Sequence, residues 1–276
     1  GVGFSVDRNK ISWEGWDVRV SLTPDEGVVL HELSLNDRPI LFRAAMSDMV
    51  VPYGSADPMH SWKAVHDGTE YGFGRLSNSL SLGCDCLGEI HYFNANGISF
   101  DGSVEVIENA ICLHEEDYGI QWKHNDGMGA PNEVRRSRRL VISSISTIGN
   151  YDYGLFWYLY LDGTIEAEVK LTGIVGISAY NEEKHNPNQD LRISKELVSP
   201  VHQHLFCMRL DWNLDGGNNQ LFESEIELMP DDDNNSHGMQ FQSVSTHLKT
   251  EHEAKRDISP ATSRVWKVVN PQKKNG

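Results

Sequence analysis

Apolar and polar residues alternate along much of the chain. Trp16, Val18, Val20 and Leu22 interleave with Asp17, Arg19 and Ser21, which predicts a half-buried strand. Pro24-Asp25-Glu26-Gly27 interrupts the pattern, a strand resumes over residues 28–35, Asn36-Asp37-Arg38-Pro39 turns again, and residues 40–42 form a short strand. Further strands are predicted at 89–93 and 98–100, with Asn94-Ala95-Asn96-Gly97 turning between them, and at 119–124. Residues 140–147 and 155–161 are the most apolar pair, and 163–171, 201–210, 224–229 and 265–269 complete the set. Residues 53–74 are rich in Gly, Ser, Asp and His, lack a period, and read as a long connection of the kind that carries function. Residues 127–132 and 181–190 read as loops. No internal repeat and no long amphipathic helix interrupts this pattern, so the fold class is all-β, an antiparallel sheet or sandwich.

Between the two most apolar strands lies Thr147-Ile148-Gly149-Asn150-Tyr151-Asp152-Tyr153-Gly154. An amide and a carboxylate inside an apolar setting form either a hydrogen-bonded knot or a site. His202-Gln203-His204 is a second candidate, because residues i and i+2 of a strand share a face and two imidazoles can reach one ion. A solvent-facing pair without metal is the plain alternative. A cupin-type site wants a Glu shortly after the second His, and Leu205-Phe206-Cys207-Met208-Arg209 follows instead. Asp67, in Ser61-Trp62-Lys63-Ala64-Val65-His66-Asp67-Gly68-Thr69-Glu70-Tyr71, reads by itself as a turn residue. Asp211-Trp212-Asn213-Leu214-Asp215-Gly216 matches the first half of a calcium loop, but Phe222 occupies the twelfth position and no helices flank it, so an EF-hand is excluded and a turn is the alternative.

Composition narrows the partners. The 276 residues carry 24 basic and 40 acidic side chains, a net charge of −16, which argues against nucleic acid or an anionic membrane and weakly favours cationic amines. Arg135-Arg136-Ser137-Arg138-Arg139 reads as local salt bridging rather than a nucleic-acid patch. No apolar run reaches membrane-spanning length. The start at Gly1-Val2-Gly3, without an initiator Met or leader, is expected of a piece of a longer protein. Four cysteines are too few for a disulfide scaffold, and Cys84-Asp85-Cys86 with Cys112 has no evident fourth zinc ligand. The sequon Asn234-Asn235-Ser236 follows an acidic loop and is a weak pointer to secretion.

Taken together, Thr147-Ile148-Gly149-Asn150-Tyr151-Asp152, Tyr158-Leu159-Tyr160-Leu161-Asp162-Gly163, His202-Gln203-His204 and the Asp67 segment resemble the copper-containing amine oxidases, in that family's order. The resemblance runs from about Trp13 to the end and is densest between Leu82 and Gly163. It implies a portion of a large antiparallel β-sandwich catalytic domain spanning 1–276, in a parent that acts as a homodimer. It implies that Tyr151 is the precursor of the quinone cofactor topaquinone, and that His202 and His204 are two of three copper ligands, the third lying beyond Gly276. His237, His247 and His252 stand in surroundings unlike the missing segment. By the same likeness Asp67 is the catalytic base, Tyr53 in Val51-Pro52-Tyr53-Gly54 holds the quinone oxygen, and Asn150 restrains the ring. Ser55-Ala56-Asp57-Pro58 departs from the family pattern after Tyr53. A peripheral metal, with calcium as the candidate, would use Asp211 and the Trp212 carbonyl. Cys86 and Cys112 would form a disulfide, leaving Cys84 and Cys207 unpaired and buried. The implied activity is oxidation of primary amines with O2 to aldehyde, ammonia and hydrogen peroxide, in an extracellular or peroxisomal setting. The isolated segment is expected to keep an unmodified Tyr151 and to be inactive. The contrasting reading is an inert β-sandwich fragment or binding module with an incomplete copper site.

Overall fold

The computed structural model describes residues 3–63, 65–99, 101–127, 129 and 131–273. The predicted strand end Phe100, Ala64 of the Asp67 segment, Met128 and Ala130 of a predicted loop, and both chain ends lie outside the described residues. Among the described residues no helix is long and apolar enough to cross a membrane.

The chain divides into two compact units, one of Gly1–Asp37 and Arg43–Leu210, the other of Arg38–Phe42 and Asp211–Gly276. The first is built from antiparallel sheets. β1 (Phe4–Asp7), β2 (Lys10–Trp13), β3 (Trp16–Thr23), β4 (Gly27–Leu35) and this unit's parts of β5 (Arg38–Val50) and β14 (Leu205–Trp212) stand side by side in the order β1-β2-β3-β4-β5-β14. A second sheet is ordered β10-β9-β8-β7-β6, from β6 (His91–Ile98), β7 (Val104–His124), β8 (Glu133–Ile148), β9 (Tyr151–Tyr160) and β10 (Ile165–Gly173). Trp16, Val18, Val20, Leu30, Leu140, Ile142, Leu155 and Trp157 are buried, and the Trp16 indole N–H donates to the Tyr160 carbonyl at 2.8 Å, tying the two sheets together. This is the expected sandwich core, with alternate residues of each sheet turned inward. A small sheet of β11 (Ser178–Ala179), β13 (Leu197–Pro200) and β12 (Asp190–Arg192) completes the unit.

Several strands differ from the sequence pattern for identifiable reasons. β5 continues past Phe42 because Ala44, Ala45, Met46 and Met49 prolong its buried face. β6 runs straight through the predicted turn at 94–97. A register irregularity between Phe93 and Ala95 absorbs the turn residues, and the Asn94 side chain accepts the Asn109 N–H at 2.9 Å. β7 starts well before residue 119. Its apolar signal is masked by acidic residues that face the arginines of β8, with Glu116 on Arg139 at 2.8 Å and Asp117 on Arg136. Arg138 likewise meets Glu14 and Glu115, so the basic block is a salt-bridged ladder as expected. β14 begins at Leu205, not 201, which leaves both histidines of His202-Gln203-His204 outside that strand.

In the second unit β15 (Gln220–Leu228) pairs with β16 (Phe241–Leu248) and β17 (Val265–Val269). Buried Glu223 is compensated by Arg256 at 3.2 Å and Arg264 at 3.4 Å. Asp211 and Trp212 are the last residues of β14 and are exposed, and the turn read for the Asp211-to-Gly216 stretch falls on Leu214-Asp215.

Candidate active site

The site is organised by the hairpin between β8 and β9. Ile148 pairs with Tyr151, leaving Gly149-Asn150 as a two-residue turn. Gly149 has φ +64°, the left-handed value a tight hairpin asks of its first central residue. Its consequence is that Tyr151 and Tyr153, two residues apart on one strand, project toward the same neighbour.

That neighbour is the His202-x-His204 segment. The Tyr151 hydroxyl lies 3.1 Å from His202 Nε2, and the Tyr153 hydroxyl lies 3.1 Å from His204 Nδ1. The two imidazole centroids are 5.0 Å apart. His202 is fixed on its other side by Nδ1, 2.9 Å from the Pro200 carbonyl, so that nitrogen carries the proton and Nε2 presents its lone pair. Burial and the neighbouring His202 push His204 down to about 4, so it is a neutral imidazole at pH 7. The shared face expected of the pair is therefore found, produced by an extended segment bridged to Tyr53 rather than by a regular strand.

Tyr53 stacks on His202 with centroids 4.8 Å apart and planes 12° from parallel. Burial, then the proximity of Tyr151 and Asp67, pushes its phenol up to about 12. Asp67 opens the helical turn Gly68–Gly72 without using its side chain as a cap. The reading of Asp67 as a mere turn residue thus lacks its usual hydrogen bond. Its loop is pinned to β5: Asp48 binds His66 Nδ1 at 2.6 Å and accepts the Thr69 N–H at 3.2 Å. A Cβ on Gly68 would come within 2.6 Å of the Met49 nitrogen, so the close approach requires glycine there. Burial first, then the negative charges of Glu70 and Asp48, raises Asp67 from 3.8 to about 6, while Lys63 opposes the rise. Asp67 in turn bears on the buried phenol of Tyr153, which is also raised, chiefly by burial.

The polar trio Asn150-Tyr151-Asp152 separates into three tasks. Asp152 accepts from Thr147, which is also joined to Asn78 at 3.1 Å, a structural knot. Asn150 is exposed, and its amide donates to the Ile174 carbonyl rather than touching the Tyr151 ring. That contact holds the irregular segment after β10, whose Gly176 N–H donates to the Tyr151 hydroxyl at 3.2 Å. The expectation that the trio is buried is corrected: Tyr151 and Asp152 are half-buried. Tyr151, Tyr153, Leu171, Gly173, Val175 and His204 line a cleft of about 220 Å³.

Tyr153, Gly176 and His60, which stacks on Tyr53 with centroids 5.7 Å apart, were not singled out from sequence. A signal existed for Tyr153, because Tyr151-x-Tyr153 repeats the spacing of His202-x-His204. Cys86 and Cys112 are joined, 26 residues apart, while Cys84 and Cys207 are unpaired. Both free thiols are exposed, which corrects the expectation of burial; Cys84 sits on a turn and Cys207 on the exposed face of β14. Among the described residues no group of three His, Cys, Asp or Glu side chains is placed to hold a metal, at His202 and His204 or at Asp211.

Two imidazoles beside two phenols on a β-sandwich form a donor set suited to copper, with His202 already oriented by its second nitrogen. The chain belongs to the copper amine oxidase family: the model of that family's enzyme domain matches residues 5–276. It is 46% identical over its whole length to histamine oxidase of Arthrobacter globiformis, covering 40% of that protein. It is 44% identical to the primary amine oxidase of Arthrobacter sp. (strain P1), again over all of this chain and 43% of the relative. Among solved structures, the copper-containing benzylamine oxidase of Hansenula polymorpha aligns with a TM-score of 0.91 and 32% identity, over 99% of this chain and 43% of that one. The chain thus spans about two fifths of the length of these relatives.

Proposed function

We propose that the chain is the N-terminal portion of the catalytic sandwich of a primary-amine oxidase, with Tyr151 as the residue oxidised to topaquinone. The observation that carries this reading is the Tyr151 hydroxyl 3.1 Å from an oriented His202 Nε2, beside neutral His204. His202 and His204 would hold copper as two ligands of a larger set, which would supply oxidising power at Tyr151, while the quinone would supply an electrophilic carbonyl for the amine. The overall reaction balances as R-CH2-NH3+ plus O2 and H2O giving R-CHO, NH4+ and H2O2.

The chain's own residues do the rest. Asp67 takes the α-proton of the bound amine as general base, and a carboxylate lifted to about 6 is strong enough to accept it yet ionised at pH 7. Tyr53 holds the oxygen of residue 151 through its hydroxyl and braces His202 through its ring. Asn150 keeps the 174–176 segment against the ring, and Gly176 N–H donates to the same oxygen. In this reading Asp211 and the Trp212 carbonyl are two ligands of a peripheral calcium site, and the whole protein pairs with a second copy; both rest on the family likeness.

The test is amine-dependent hydrogen peroxide production by the full-length protein and its Tyr151→Phe variant. Production lost in the variant is the expected result. Equal production from both would place the oxidised residue elsewhere than Tyr151, and none from a copper-loaded wild type favours the inert binding module.

A further inference from the structure

A second polar cavity lies behind Tyr53, in a part of the first unit that the oxidation chemistry does not use. It has a volume of about 380 Å³, in the range that holds small ligands. Its wall includes Asp57, His60, Ser178, Lys184, His185 and Asp190. His60 is 4% exposed and its Nδ1 has no hydrogen-bond partner, although its Nε2 meets the Ser178 hydroxyl. His185 also lines the cavity and carries a second buried Nδ1 without a partner. Buried polar atoms are nearly always paired, so two orphaned imidazole nitrogens around one cavity call for a ligand that pairs them.

The charges say which ligand. Asp190, at the start of β12, has no hydrogen bond or ion pair at its carboxylate among the described residues, and it acts electrostatically on His60 together with Asp57. Asp57 uses one oxygen to accept the Met59 N–H at 2.8 Å. Among the described residues Lys184 is the one cation on the wall, so the two carboxylates leave the wall an excess negative charge, while Lys63 acts on His60 from outside that wall in the opposite sense. A neutral imidazole and a carboxylate both accept N–H bonds, and a primary ammonium offers three donors and a matching charge. Two imidazoles and two carboxylates could also suggest a metal, but no three of the described residues are placed for one, and the cavity is far larger than an ion needs.

We propose that this cavity is a binding site for a small primary ammonium ion, separate from the Tyr151 cleft. It is joined to that cleft by a continuous stack of rings, His60 on Tyr53 at 5.7 Å and Tyr53 on His202 at 4.8 Å. The inference does not depend on quinone formation, and it holds for the protein in its metal-free state.

The test is calorimetric titration of the full-length, metal-free protein with butylammonium chloride, alongside the ring signals of 15N-labelled histidines. The expected result is one saturable equivalent per chain that shifts the His60 and His185 signals and persists in Tyr151→Phe. Asp190→Asn, which is isosteric, should weaken binding at least tenfold. Ala179→Leu, which fills the cavity, should abolish it by a second route if both variants keep the wild-type circular dichroism. The proposal is overturned by no saturable binding to folded wild type, by unchanged affinity in both variants, or by loss of binding in Tyr151→Phe. Zinc that displaces butylammonium and takes over the His60 and His185 shifts would also overturn it, by making the site a metal site.

Discussion

At Asp67 burial and two like charges act in the same direction, and the sign has consequences for both rate and stability. The folded carboxyl titrates at about 6 and the ordinary one at 3.8, so between those values the folded protein holds a proton that the unfolded chain has released. Stability contributed by this group is therefore present at the acid end and lost as pH rises through about 6. Asp67→Asn should flatten that part of the melting-temperature profile between pH 4 and 7, measured by differential scanning calorimetry. The same substitution should lower amine turnover by roughly 100- to 10,000-fold, with wild-type activity rising through pH 6 as the base ionises. Near wild-type turnover in the variant would return Asp67 to the role of a turn residue. The expectation for Asp67 came from the resemblance of its flanking segment, since the residue by itself reads as a turn. His60 and Gly176 were not legible, since their contacts come from segments that only the fold brings to Tyr53 and Tyr151.

Among the elements, the β8–β9 hairpin and the end of β10 set where Tyr151 stands, and two glycines there predict losses of different size. Gly149 has φ +64° but open space around a would-be Cβ, so Gly149→Ala should cost about 1–2 kcal/mol from left-handed backbone strain. Gly173 has φ +98°, and a Cβ there would meet the Asn150 oxygen and the Asp152 nitrogen at 2.7 Å. Gly173→Ala should add about 1–3 kcal/mol of overpacking to a similar strain. Urea denaturation of the two variants checks the order, and equal losses would contradict it. The disulfide between Cys86 and Cys112 closes a loop with a separation of 26, for which the chain-entropy model gives about 3.5 kcal/mol. Peptide mapping without reduction should recover that pair, and Ellman's reagent should find the Cys84 and Cys207 thiols reactive without unfolding. Recovery of Cys84 linked to Cys112 would refute the pairing. Strand positions were legible where alternation is apolar, as at β3, β9 and β17. They were hidden where cross-strand charges replace apolar pairs, as along β7, or where turn-forming residues sit inside a strand, as in β6.

At the scale of the whole molecule, the fold class followed from period-two patterning, while the site required distant segments to meet. Tyr151 comes from a hairpin, His202 and His204 from the approach to β14, and Asp67 from a loop anchored on β5. The spacing of His202-x-His204 suggested two imidazoles on one face, but nothing local announced their pairing with Tyr151-x-Tyr153. The account stands on Tyr151 being the tyrosine that is oxidised. The most direct measurement is peptide mass mapping of the full-length protein, prepared metal-free and then exposed to copper and air. A quinone-sized mass change confined to Tyr151, absent without copper, is the result the geometry predicts. An unmodified Tyr151 in protein carrying its full copper complement, or a change located at Tyr153 instead, would contradict it.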